Sequence, residues 1–289
     1  MTVSDQELTS LAASHDIISL GMLADEVRRR RHGTRTTFVR VVDVALDQPA
    51  TSAPHDLTRA GEIRIVGTPA SRSAAVDCVR KQAAIAGGIP LSGYSLADLE
   101  QLTAREGVTL RSLLEELRSA GLELVAEAPI DRLQDPRRSI EEVNIAGLAL
   151  ARLTVHQTPS ADPLPLLKAV ADLQRTVAVI RAFAPLPRTL NPAVPTTGYD
   201  DVKRVALARI VVDNVPSIQV DWRLYGPKLA QVALTVGADD VDAVSAEDDM
   251  SEGRRRAPLE EIRRNIRAAG LEPAERNGRF DVLSAGQHE

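Results

Sequence analysis

Thr37-Phe-Val-Arg-Val-Val-Asp-Val-Ala-Leu46 and, after a short polar link, Glu62-Ile-Arg-Ile-Val66 set the rhythm of the chain. Both runs are short, rich in β-branched residues and bounded by turn formers, and so read as strands. Runs of the same kind follow at Ile89–Gly93, Leu122–Ala126, Ala151–Val155, Val177–Phe183, Ser217–Asp221 and Asp240–Ser245. Amphipathic stretches separate most of them, and strands alternating with helices build a parallel sheet or barrel. Ile63, Ile65, Val179 and Ile218 are read as inner residues, short aliphatics as strands covered on both faces require. The expected fold is a TIM-like (β/α) barrel with a shortened first crossover and a C-terminal helical extension.

Helix punctuation supports that reading. Leu110, Leu113, Leu114 and Leu117 recur at helical spacing and make one apolar face, with Gly121 as the stop. Ser95 with Asp98, and Thr197 with Asp200, resemble capping boxes. Pro227 and Gly237 bracket one further helix, and Pro258 and Gly270 the last, which places Leu259, Ile262 and Ile266 on one side. Two stretches break the rhythm. The link Asp47–Gly61 has little room for a full helix, and Leu186–Thr197, broken by Pro187, Pro192 and Pro195, reads as a long surface loop. Loops that follow barrel strands line the C-terminal mouth, where chemistry normally sits.

At 289 residues, one barrel is preferred to two small domains. Apolar residues make up 44% and charged residues 26%, with a net charge of −5, the profile of a soluble globular chain for which nucleic acid is not an expected partner. No stretch reaches the roughly 20 apolar residues of a membrane span. The first residues carry acids and no basic region ahead of an apolar run, so no signal or transit peptide is visible and a cytoplasmic location is expected. Cys78 is the single cysteine, and one thiol forms neither an internal disulfide nor a multi-cysteine metal or cluster site.

Two segments carry a family resemblance. The stronger contains Thr196-Thr-Gly-Tyr-Asp-Asp-Val-Lys203, Ala208-Arg-Ile-Val-Val-Asp-Asn-Val-Pro216, Trp222, Gly226-Pro-Lys-Leu-Ala-Gln-Val-Ala-Leu234 and Gly237-Ala-Asp-Asp-Val-Asp242. This ordered set resembles the C-terminal region of the aminofutalosine synthase and dehypoxanthine futalosine cyclase branch of the radical S-adenosylmethionine enzymes, which the deazaflavin-cofactor synthases share. Leu20-Gly-Met-Leu-Ala-Asp-Glu-Val-Arg-Arg-Arg-Arg-His-Gly33 is similar to the helix that leads into the barrel of that family. The resemblance implies one domain over 1–289, with a lead-in at 1–33, a barrel core at 34–196 and the family-type region at 197–289. It also implies a cysteine triplet, C-x3-C-x2-C, after the first strand, to hold an iron–sulfur cluster that binds S-adenosylmethionine. The matching positions are Ala50, Pro54 and Leu57, none of which binds iron. No cofactor is therefore expected, and radical chemistry is read as lost.

Other family positions persist in altered form. Gly67 is what remains of the glycine segment implied to contact S-adenosylmethionine, and Asp131 keeps the acid of a second segment whose glycines are gone. His156 matches a family histidine at the expected C-terminal end of a strand, where it would orient a ligand or move a proton. Arg181 replaces a neutral amide on an apolar strand, so if buried it needs an acid, with Asp131 or Glu127 as candidates, or an anionic ligand. The acids Asp239, Asp240, Asp242, Glu247, Asp248 and Asp249 read as a solvated cluster, with magnesium as the lesser alternative. Three functions follow as expectations: an accessory protein of futalosine-type menaquinone biosynthesis that pairs with a pathway enzyme or binds its substrate or product; an enzyme acting on a small anionic ligand at the mouth through His156, Arg181 and Asp131; or a scaffold with a closed barrel. A homo-oligomer is left open.

Overall fold

The computed structural model describes residues 4–46, 57–157, 162–189, 198–248 and 258–283. Nine parallel strands build the barrel: β1 (Arg35–Ala45), β2 (Glu62–Val66), β3 (Leu91–Ser95), β4 (Leu124–Pro129), β5 (Ala149–Leu150), β6 (Leu153–Val155), β7 (Ala182–Pro187), β8 (Ser217–Asp221) and β9 (Asp240–Ser245). Short β5 and β6 share one position beside β4, and β9 returns to pair with β1, so eight positions close the barrel. Helices α1 (Asp5–Ala13) and α2 (Ile17–His32) lead in. Around the barrel follow α3 (Arg72–Ala83), α4 (Leu96–Glu106), α5 (Leu110–Ser119), α6 (Pro136–Ile145), α7 (Leu164–Val177), α8 (Gly198–Val211), α9 (Trp222–Thr235) and α10 (Pro258–Ala268). No helix among the described residues is long and apolar enough to cross a membrane.

The expected barrel is present, and Ser217–Asp221 and Asp240–Ser245 supply its last two strands. The strands at 62–66, 217–221 and 240–245 stand where the sequence places them. The strand expected at Val177–Phe183 starts later, because α7 runs on through Val177. Ala178 then turns with φ 54°, and the Gln174 amide bonds both the N–H and the carbonyl of Ile180, each at 3.0 Å. That clasp consumes the residues read as strand. Leu186 and Pro187, read as loop, are buried in β7 instead, and residues 190–197 lie outside the described residues.

The helix ends depart from expectation at several points. Ser95 begins α4 without a side-chain bond to the helix, and Asp98 instead accepts from Thr68 Oγ1 at 2.7 Å. Thr197 lies outside the described residues. Pro227 sits inside α9, just after Gly226, whose φ of 74° kinks the helix; the helix begins earlier, at Trp222, capped by Asp221 Oδ1 accepting from the Leu224 N–H at 2.8 Å. The C-terminal extension is not helical throughout. After α10, strand β10 (Glu272–Arg276) pairs with the first half of β1, below β2.

The apolar core lies between strands and helices. Ile63, Ile65, Phe183, Ile218, Val220 and Val241 point outward into it, against buried leucines such as Leu99, Leu113, Leu114 and Leu117. Ile63, Ile65 and Ile218 are buried strand residues, as the sequence suggests, on the side that faces the helices, whereas Val179, read with them, lies outside any strand and is half-exposed. Side chains alternate along a strand, so other residues are left for the lumen.

Candidate functional site

Several of those residues are charged or polar. Along β2 the pattern Glu62-Ile-Arg64 turns both ions inward, β8 contributes Gln219 and Asp221, and β9 contributes Asp240 and Asp242. Arg64 donates from Nη1 and Nη2 to the two oxygens of Asp242, at 3.1 and 2.8 Å, and from Nε to Glu62 Oε1 at 2.9 Å. Arg152, between β5 and β6, reaches across the lumen to Asp242 at 2.6 Å and lies 3.6 Å from Glu62. Ser92 Oγ adds a 2.5 Å bond to Glu62. One layer lower, Arg276 of β10 makes a two-pronged bond to Asp240 at 2.6 and 2.7 Å, and Gln219 and Thr37 also donate to Asp240. The Arg276 guanidinium rests on the Phe280 ring, 4.0 Å from its centroid.

Buried ions are tolerable only when paired, and these set each other's protonation. Burial alone raises the carboxyls of Glu62 and Asp242, but Arg64 and Arg152 outweigh it and hold both below the usual carboxylate range. Burial likewise lowers Arg64, yet Asp242 and Glu62 reverse the sign and raise it. Arg152 is lowered, by burial first and then by the charge of Arg64. The lumen of an ordinary barrel of this type is filled by branched aliphatics. This one holds a network of ion pairs.

At the mouth, Arg188 follows β7 and bridges Glu127 and Asp221, at 2.9 Å each. His156, just past β6, is half-buried, and its Nε2 lies 3.0 Å from Thr189 Oγ1. Asp131 uses both carboxylate oxygens, each at 2.8 Å, to accept the backbone N–H groups of His156 and Gln157. It therefore fixes the loop that carries His156. Gly67 follows β2 with φ 111°, a conformation other residues adopt only under strain.

Arg181 does not join them. It precedes β7 at the opposite, N-terminal end of the barrel, exposed, with Nη1 donating to the Arg279 carbonyl at 2.6 Å. Leu153 pairs with Phe183, so His156 and Arg181 are about five residues apart along the strand direction, roughly 16 Å. Neither suggested partner reaches Arg181, because Glu127 binds Arg188 and Asp131 binds backbone. Three of the acids read as a solvated cluster are also placed differently, whereas Glu247 is exposed and Asp248 half-exposed, as that reading has them. Asp239, Asp240 and Asp242 are buried and paired with Arg209, Arg276 and the Arg64–Arg152 pair, and Asp249 lies outside the described residues. Among the described residues no group of acids, histidines and cysteines is arranged to hold a metal ion.

Sequence reasoning missed Glu62, Arg64, Arg152, Arg188 and Asp221. The signal was there for three of them, in the strict alternation of Glu62-Ile-Arg64 and of Ser217-Ile-Gln-Val-Asp221. Arg152 and Arg188 lie at strand margins, where alternation gives no guidance.

Known proteins share parts of this chain. Residues 186–288 match the CofH/MqnC C-terminal region. The chain is 26% identical over 214 residues to the cyclic dehypoxanthine futalosine synthase of Streptomyces coelicolor, covering 65% of this chain and 53% of that one. Over 94 residues it is 37% identical to the aminodeoxyfutalosine synthase of the same organism, covering 30% of this chain and 24% of that one. The chain spans about half the length of the curated relatives it matches. Among solved structures, methylornithine synthase superposes with a TM-score of 0.67 over 95% of each chain at 12% identity, a likeness of fold alone.

Proposed function

We propose, from the premise that this chain belongs to the aminofutalosine synthase and dehypoxanthine futalosine cyclase branch of the radical S-adenosylmethionine family, that it is a non-catalytic accessory protein of futalosine-type menaquinone biosynthesis. The observation that carries this reading is the ionic filling of the lumen. Arg64, Arg152, Glu62 and Asp242 meet across the barrel, and Arg188 ties Glu127 to Asp221 above them. Opening a path into the barrel would strand buried charges, at about 3–5 kcal/mol for each pair broken.

The residues present do not fit an iron–sulfur cluster, which needs several thiolates. Ala50 and Pro54, outside the described residues, carry no ligating side-chain atom, and Leu57 packs its apolar side chain against the core. Cys78 stands apart on α3, half-buried, and burial pushes its thiol up, away from the thiolate that binds iron. No step of radical chemistry is therefore assigned to this chain. Its role in this proposal is to pair with an intact pathway enzyme. The test is co-purification of the tagged chain from its own organism: enrichment of an intact aminodeoxyfutalosine or dehypoxanthine futalosine synthase is expected. No enrichment of either enzyme would overturn the reading.

A further inference from the structure

The N-terminal end of the barrel holds a cavity of about 330 Å³ between α6, β5, the end of α7 and the approach to β7. Its size falls in the range of small-molecule sites. Val143, Leu148, Leu150 and Ile180 form apolar walls, all buried. Arg181 supplies the one charge among the lining residues, and no acid lines the cavity. The neighbouring Arg279 is satisfied by both oxygens of Glu123, at 2.6 and 2.8 Å. Arg181, by contrast, donates one bond to the Arg279 carbonyl and meets no carboxylate among the described residues.

A guanidinium beside an apolar cavity matches a ligand that carries one carboxylate on a compact apolar body. Arginine presents a planar pair of N–H donors that fits a carboxylate, and the walls offer no second cation for a more highly charged anion. We propose that this cavity is a binding site for such a monocarboxylate, with Arg181 as its anchor. The site lies at the opposite end of the barrel from His156 and is independent of the accessory role.

Benzoate and 4-methylpentanoate are the probes, with benzyl alcohol as the uncharged match and inorganic phosphate as the bare anion, titrated into the full chain by calorimetry and by amide NMR. A carboxylate is expected to bind at least about tenfold more tightly than the alcohol, the worth of a charge-assisted hydrogen bond, and phosphate no better than the alcohol. Arg181→Gln, at an exposed side chain with one bond to lose, should fold normally and reduce carboxylate affinity to that of the alcohol. Val179→Trp, which fills the cavity from a half-exposed position, should abolish binding of both. Equal binding of carboxylate and alcohol, unchanged affinity in Arg181→Gln, or no carboxylate binding at about 10 mM would each overturn the proposal.

Discussion

The two faces of the same strands are built on opposite principles. Outward, Ile63, Ile65, Ile218, Val220 and Val241 bury aliphatic surface against the helices, a contribution that is non-directional and tolerant of small changes in shape. Inward, Glu62, Arg64, Arg152 and Asp242 make directed pairs, each depending on the others for its charge. The outer face supplies stability by area, whereas the inner face contributes little net stability and resists any change made one residue at a time. A barrel interior of this kind holds its own groups in place, and that is the physical content of the accessory reading.

The contrast can be broken most forcefully from inside. Asp242→Ala leaves two buried guanidiniums without their shared carboxylate and should destabilise the chain by about 3–5 kcal/mol in urea unfolding. Replacing all four ions together, as Glu62→Leu, Arg64→Met, Arg152→Met and Asp242→Leu, should bring most of that loss back, since apolar residues of similar volume substitute well for buried pairs. A quadruple variant as unstable as Asp242→Ala would contradict this contrast between the faces.

Acidification separates the ionic groups by their pKa values. His32, packed beside Pro216 and Asp239, is lowered to about 4, by burial first and then by Arg209, so it stays neutral in the folded chain while the unfolded chain takes up a proton near 6.5. Its contribution is intact above pH 6.5 and is lost as pH falls towards 4, by about 2 kcal/mol once solvent screening of the ring's open edge is allowed for. His32→Gln should flatten urea midpoints in that window. Below it, the lowered carboxyls of Glu62 and Asp242 lose their contribution as the unfolded chain protonates first, and that second fall should persist in the variant. The smallest expected effect belongs to the outer face: Ile218→Val should reduce stability by about 1 kcal/mol, with no dependence on pH.

Much of the architecture was legible because it depends on local pattern. The leucine face of α5, the strands at 62–66, 217–221 and 240–245, and the α10 helix with its Gly270 stop were all readable from periodicity and caps. The start of β7 was not, because the side chain of Gln174 ends the preceding turn through a contact that no apolar pattern records. Of the expected site, His156 and Asp131 do meet at the mouth, though Asp131 serves the backbone. Arg181 falls at the other end because of that late start of β7. The charged lumen was hidden by an assumption, that barrel strands bury aliphatics on both faces, although Glu62-Ile-Arg-Ile already alternates.

The proposal that this barrel holds ion pairs of its own in place of an iron–sulfur cluster is tested most directly by anaerobic reconstitution of the full chain with iron and sulfide, followed by desalting and iron analysis. Iron at background level and no absorbance from a cluster are expected. Stoichiometric iron with cluster absorbance that responds to S-adenosylmethionine would contradict it.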